Sequence, residues 1–212
     1  MYQRIVICSG GRLGEWALDV IRAGHYLIGA DSGAAFLLEH GFVPDAAIGD
    51  FDSVSDPQLQ LIRERSVRFI GCDAVDKDYT DTELAFRHAL DMNPSEIVML
   101  GALGSRFDHS LANVHLLALA LDRGVPAAIT DRNNRIRATD GTLTIERSGF
   151  THISLLPLSP TVEGITLQGF RYPLNDATLS IGQSLGISNV LEEAQGTIGI
   201  REGRLLIIES RD

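Results

Sequence analysis

The stretch AIGDFDSV, residues 47–54, leaves an apolar run through a glycine and then sets two carboxylates, Asp50 and Asp52, on either side of a phenylalanine. Three further stretches put acid, glycine or base in the same setting. GADSGAAFLL carries Asp31 and Gly33, GCDAVDKDYTDTE carries Lys77, Thr80 and Asp81, and GALGSRFDHSLAN carries Gly104, Arg106 and Asp108. Carboxylates a few ångströms apart raise one another's pKa and resist joint ionisation unless a cation compensates. Hard oxygen ligands without cysteine or paired histidine point to Mg²⁺, which takes one or two carboxylates and completes its shell with water and substrate phosphate. On this reading Asp50 and Asp52 hold a metal that holds phosphates; the competing reading is a solvated turn, where Asp and Gly are common.

The other residue types extend the argument. Gly33, Gly101 and Gly104 lie where backbone N–H groups can approach a phosphate, although no Walker-type loop or complete dinucleotide fingerprint is present. Lys77 is the one lysine among eighteen basic residues and sits between two aspartates. Arg106 offers a planar fork suited to phosphate. His109 and Asn113, four apart, read as a structural pair.

Such residues must be carried by elements that bring separate loops to one edge. RIVICS, YLIGA, DAAIG, VRFIG, EIVMLGA and PAAIT read as strands, with helical segments between them. TDTE from Thr80 fits a capping box, Glu83 reaching back to the helix start. In the segment 106–121, Phe107, Leu111, Val114, Ala118 and Leu121 form one apolar stripe. Regular alternation implies a doubly wound, mainly parallel α/β sheet, whose chemistry collects at the carboxyl ends of the strands. From residue 135 the helical period stops. Short strands at 135–139, 142–146, 152–156, 162–168, 177–180, 195–200 and 204–209 predict a small C-terminal β-sandwich or barrel. The expected domains are 1–132 and 135–212, joined near the polar stretch TDRNNR.

Composition narrows the class. A 44% hydrophobic content over 212 residues suits packed cores. The net charge of −10 argues against nucleic acid, whose backbone needs clustered cations. Residues 135–212 hold nine acids and seven bases, net −2, so the remaining −8 lies in the first part. No run approaches a membrane span and the start lacks signal-peptide features, so no membrane partner and a cytoplasmic location are expected. Cys8 and Cys72 read as reduced core residues.

The ordered series ADSGAAFL, PDAAIGDFDSV, DKDYTDTELA and GALGSRFDHSLANVHLL, with the tail GFRYPLNDATLSIGQSLGISNVL, resembles the thiamine pyrophosphokinase family over nearly the whole chain. The resemblance implies transfer of the pyrophosphoryl group of ATP to the hydroxyl of thiamine, with Mg²⁺ as cofactor and a homodimer as the working form. It places Asp31, Asp50, Asp52 and Asp81 around the metal and reacting phosphates, with Asp50, Asp52 and Asp81 as ligands. Asp31, Gly33, Lys77, Thr80 and Gly104 fall in the nucleotide-binding segments, and Arg106 and Asp108 in a G-R-x-D element of the catalytic site. Ser188 and Asn189 fall on the thiamine-contacting pair, with Tyr172 a residue to stack on the vitamin. Either Asp81 or Asp108 serves as general base. Two other readings stand beside this one. GDFDSV also fits a haloacid-dehalogenase-like phosphatase with Asp50 as nucleophile and Asp52 as acid/base, and the phosphate loops alone fit a nucleotide-sensing module.

Overall fold

Strands buried on both faces read as unbroken apolar runs, and three of the first six strands are buried at every position. These strands are β1 (Ile5–Cys8), β2 (Tyr26–Ala30), β3 (Ala46–Gly49), β4 (Phe69–Gly71), β5 (Ile97–Leu100) and β6 (Ala127–Thr130). In the computed structural model, which describes residues 4–22, 24–71 and 78–212, they pair in parallel in the order β4-β3-β2-β1-β5-β6. The chain winds outward from β1 to β4 and then returns to build β5 and β6 on the other side. The order therefore reverses between β1 and β5, which opens a crevice at their carboxyl ends.

Among the described residues four α-helices connect these strands: α1 (Ser32–Glu39), α2 (Asp56–Arg65), α3 (Asp81–Asp91) and α4 (Phe107–Asp122). At α3 the expected cap is half made. Thr80 Oγ1 accepts the Glu83 N–H at 3.2 Å, but the Glu83 carboxylate turns to Arg87, 2.8 Å from its guanidinium. A partner four residues along on the helix wins over the backbone N–H. The stripe expected on α4 is also corrected. Phe107 and Leu111 are exposed, and the buried positions are Asn113, Leu116, Leu117 and Ala120. The second half of α4 is apolar nearly all round, so its sequence period does not select a face. Cys8 is buried as expected and its thiol is pushed up to about 12 by desolvation; Cys72 lies outside the described residues.

The chain divides into two compact units, residues 1–116 with 122–132, and residues 117–121 with 133–212. The second contains the strands β7 (Asn134–Thr139), β8 (Thr142–Glu146), β9 (His152–Pro157), β10 (Thr161–Gln168), β11 (Ala177–Ser180), β12 (Gln195–Gly199) and β13 (Leu205–Ser210). β13 pairs antiparallel with both β7 and β9, while β10 and β12 hold β11 and β8 in a separate four-stranded sheet. Side chains from both ladders, among them Ile153, Leu155, Ile165, Leu167, Ile198 and Ile207, share one core. Of the two expected forms this is the sandwich. The buried Glu209 carboxylate is paired with Arg137 at 2.7 Å, which satisfies a charge that burial alone would make costly. No helix among the described residues is long and apolar enough to cross a membrane.

Gly33 belongs to this packing. A Cβ built there would lie 1.9 Å from the Cys8 carbonyl oxygen, because the first turn of α1 presses directly on the end of β1. Gly33→Ala forces backbone apart in a core that cannot yield. The variant is expected to lose roughly 1–3 kcal/mol of stability in urea unfolding, and unchanged stability would refute the close contact.

Candidate active site

A cleft of about 740 Å³ opens at the carboxyl ends of the strands in the first unit. Each loop that sequence analysis singled out reaches it. Asp31 comes from the end of β2, Asp50 and Asp52 from the turn after β3, Thr80 and Asp81 from the start of α3, and Gly104 and Arg106 from the loop between β5 and α4. The loop after β1 adds Gly11, whose N–H donates to the Gly101 carbonyl at 2.8 Å and so locks the two sides of the crevice together.

The turn after β3 answers the question raised by its sequence. Phe51 is buried and stacked on Phe69, centroids 4.9 Å apart, so the ring anchors the turn while the flanking aspartates face solvent. The Asp52 N–H donates to Asp50 Oδ1 at 3.2 Å, and the Asp50 N–H donates to Asp81 Oδ1 at 3.3 Å. Phe51 has φ 58° and Asp31 φ 51°, conformations that L-residues adopt only where surrounding contacts impose them.

One oxygen from each of Asp31, Asp50 and Asp52 lies within 4.8 Å of the others. Oxygens sharing one octahedral Mg²⁺ lie about 3 Å apart when adjacent and about 4.2 Å apart when opposite, so these three must draw together to share an ion. Asp31 Oδ2 accepts from the Ser53 hydroxyl, while Oδ1 is buried with no hydrogen-bond partner among the described residues. A buried carboxylate oxygen without a donor is costly, and a cation is the partner its chemistry lacks. The donor set fits a hard divalent ion.

Asp81 registers the crowding. It starts α3, where the helix dipole and the Asp50 N–H favour its charge. Burial and the neighbouring Asp50, Asp31 and Asp52 outweigh both, and its pKa is raised to about 6. Asp108 has the opposite environment. Both of its oxygens face the Arg106 guanidinium, the shorter contact 2.6 Å, which lowers its pKa. The exposed pair leaves Arg106 on the cleft wall, and Asp108 is not among the lining residues.

The remaining expected residues are placed as follows. Gly33 is buried against Cys8 and does not line the cleft. Gly104 does, but its N–H is taken by the Ser110 hydroxyl at 3.0 Å. Lys77 lies outside the described residues. Asn113 is structural, its amide donating to the Ala102 carbonyl at 2.7 Å. In the second unit the Asn189 side chain clasps the backbone of Tyr172. Oδ1 accepts the Tyr172 N–H at 3.1 Å, Nδ2 donates to the Tyr172 carbonyl at 2.7 Å, and Tyr172 as a whole stays 61% exposed. Ser188, at φ 59°, donates its N–H to Ser154 Oγ.

The sequence matches the family description "Thiamin pyrophosphokinase, catalytic domain" over residues 18–129 and "Thiamin pyrophosphokinase, vitamin B1 binding domain" over residues 142–205. The chain belongs to the thiamin pyrophosphokinase family. The Thiamine pyrophosphokinase of Bacillus subtilis is 35% identical over 187 residues, 87% of each chain. The crystal structure of the Bacillus subtilis enzyme superimposes with a TM-score of 0.92 at 32% identity, covering 99% of this chain and all of that one. That of the Geobacillus thermodenitrificans Thiamin pyrophosphokinase gives 0.89 at 35% identity, covering 99% and 98%. Membership in the thiamin pyrophosphokinase family makes the chain a transferase with thiamine diphosphokinase activity, and neither the phosphatase nor the sensing reading finds support.

Within this family framework the cleft residues from Ala30 to Asn113 lie inside the catalytic match, with Ser9, Gly10 and Gly11 ahead of it, and Ser188, Asn189 and Tyr172 lie inside the vitamin B1 match. Sequence reasoning passed over Ser53 and Tyr79. Ser53 adjoins the two aspartates, and its signal was adjacency; its partner Asp31 comes from a different loop. Tyr79 lines the cleft immediately before the α3 cap.

The raised Asp81 pKa makes the metal-free fold pH-sensitive. Between the ordinary carboxylate value and about 6 the unfolded chain releases the proton first, so this group's contribution to stability falls as pH rises through that window. Asp81→Asn removes the penalty and keeps an acceptor for the Asp50 N–H. In chelator, the variant is expected to match wild type near about pH 4 and to melt a few degrees higher near about pH 8. A lower melting temperature near pH 8 would contradict the assignment of repulsion to Asp81.

Proposed function

We propose that the cleft binds the polyphosphate of ATP through Mg²⁺ and that the chain transfers the pyrophosphoryl group to the hydroxyl of thiamine, releasing AMP. The observation that carries this reading is the convergence of Asp31, Asp50, Asp52 and Asp81 at the crevice where the strand order reverses. Asp31, Asp50 and Asp52 would hold the ion, with Asp81 beside them. When bound, the ion neutralises the carboxylates and the charge that develops on the transferring phosphates.

The chain's own residues supply alignment and proton transfer. Arg106 lines the same cleft and would meet the phosphates there, and Lys77 and Thr80 belong to the same nucleotide-binding segment. The thiamine hydroxyl oxygen attacks the β-phosphorus, and the bond from that phosphorus to the oxygen bridging it to the α-phosphate breaks. AMP leaves with that oxygen. The hydroxyl proton passes to Asp81, which lines the cleft beside the other carboxylates, whereas Asp108 is held low by Arg106.

Residues 1–132 act as the nucleotide-binding catalytic domain and residues 135–212 as the thiamine-binding and dimerisation domain. Ser188, Asn189 and Tyr172 contact the vitamin, Asn189 chiefly by fixing Tyr172. The exposed Tyr172, Ile181, Leu185 and Ile187 favour a homodimer, which light scattering tests by mass. The acidic chain, without a basic stripe, operates in the cytoplasm with no nucleic-acid or membrane partner.

Incubation with ATP, Mg²⁺ and thiamine is expected to yield AMP and thiamine diphosphate in equal amounts, with no AMP when thiamine is omitted. Asp50→Asn and Asp31→Asn should each lower kcat/KM by about a hundredfold or more. Asp81→Asn should remove the acidic limb of the pH–rate profile, and Asp108→Asn should leave that limb in place. AMP formation independent of thiamine, or full activity in Asp50→Asn, would sink the proposal.

A further inference from the structure

We propose that Tyr79 is the stacking wall for the base of the nucleoside triphosphate; the proposal rests on reading the cleft as an ATP site. Among the described residues Tyr79 is the only Phe, Tyr or Trp that lines the cleft. The rest of the lining is serine, threonine, glycine, alanine, carboxylates, Arg106, His109 and Asn113, which suit phosphates and a metal; the flat groups among them, the Arg106 guanidinium and the His109 ring, are polar. A nucleotide brings both a charged tail and a planar ring, and the ring gains from a flat apolar surface.

The Tyr79 side chain is built to supply it. Tyr79 is 47% exposed, and one face of its ring is backed by the Arg87 guanidinium, 4.6 Å from the ring centroid. Arg87 is itself fixed by Glu83, with Nε and Nη2 at 2.9 and 2.8 Å from one carboxylate oxygen. Glu83 and Arg87 stand one turn apart on α3, whose cap Thr80 follows Tyr79 directly. The ring is thus held from behind by a rigid helix, and holding a contact group in place before binding reduces what binding costs. Asp81, two residues on, touches the Asp50 amide, so the stacking wall and the carboxylate cluster share one end of α3.

The cation behind the ring also selects its partner. Thiamine carries a positive thiazolium, and a ring already facing a guanidinium gains less from a second cation on its other face. A neutral base meets no such opposition. The same chemistry extends to any purine or pyrimidine nucleotide, with purines favoured by their larger overlap.

Full-length Tyr79→Leu, Tyr79→Ala and Tyr79→Phe proteins test this with steady-state kinetics and with calorimetric AMP binding in the absence of thiamine. Tyr79→Leu, which keeps apolar bulk without a ring, and Tyr79→Ala are each expected to raise KM for ATP and Kd for AMP by about tenfold. In both, KM for thiamine holds and kcat changes far less than KM. Tyr79→Phe should restore the wild-type KM. A rise confined to KM for thiamine would overturn the proposal by assigning the ring to the acceptor, and so would unchanged AMP affinity in the Leu and Ala variants. Absence of thiamine-dependent AMP formation in wild type would count against the activity instead, and the calorimetric comparison would still decide the role of Tyr79.

Discussion

Four carboxylates crowded at the ends of two neighbouring strands and the start of a helix repel one another, and the site depends on how the fold bears that repulsion. Burial and then this repulsion raise the Asp81 pKa to about 6, although a helix N-terminus and a backbone N–H both favour the charged form. The parallel sheet supplies the counterforce. Phe51 is buried against Phe69 with its backbone in the left-handed region, and Asp31 starts α1 in the same region. A folded chain that keeps such strain and repulsion in one place gives up stability there, as functional sites commonly do.

The two acids flanking this centre show how environment divides their roles. Asp108 is exposed, but Arg106 faces both its oxygens, so it is a weak base and a good positioner of the arginine. Asp81 is half-buried among like charges and is the stronger base. In the second unit a similar economy governs Asn189. Its side-chain amide is spent on the backbone of Tyr172 and on the Val190 N–H, which leaves the tyrosine ring to meet a ligand on the proposed reading.

Much of this was legible in the sequence because its determinants are local. Strand ends are marked by glycine, serine and aspartate, and β8 and β12 of the second unit alternate between inward and outward residues, so these positions follow from period and turn chemistry. The approach of separate loops followed from strand and helix alternation. Other features depend on choices made in three dimensions. α4 is apolar nearly all round in its second half, so packing, not period, chose its buried face. Glu83 had two partners within reach and took Arg87. Gly33 has the sequence look of a phosphate loop, yet its lack of a side chain is required by the Cys8 carbonyl. Tyr79 gave no sequence signal, since its value lies in what stands behind the ring.

The most direct test of the carboxylate account is the melting temperature of nucleotide-free protein near about pH 8 as Mg²⁺ is added at constant ionic strength. An ion that binds the folded state alone stabilises it in proportion to the logarithm of its concentration once the site is filled. The account predicts a rise with Mg²⁺ that NaCl does not reproduce and that Asp50→Asn largely abolishes. No rise, or an equal rise with NaCl, would contradict it.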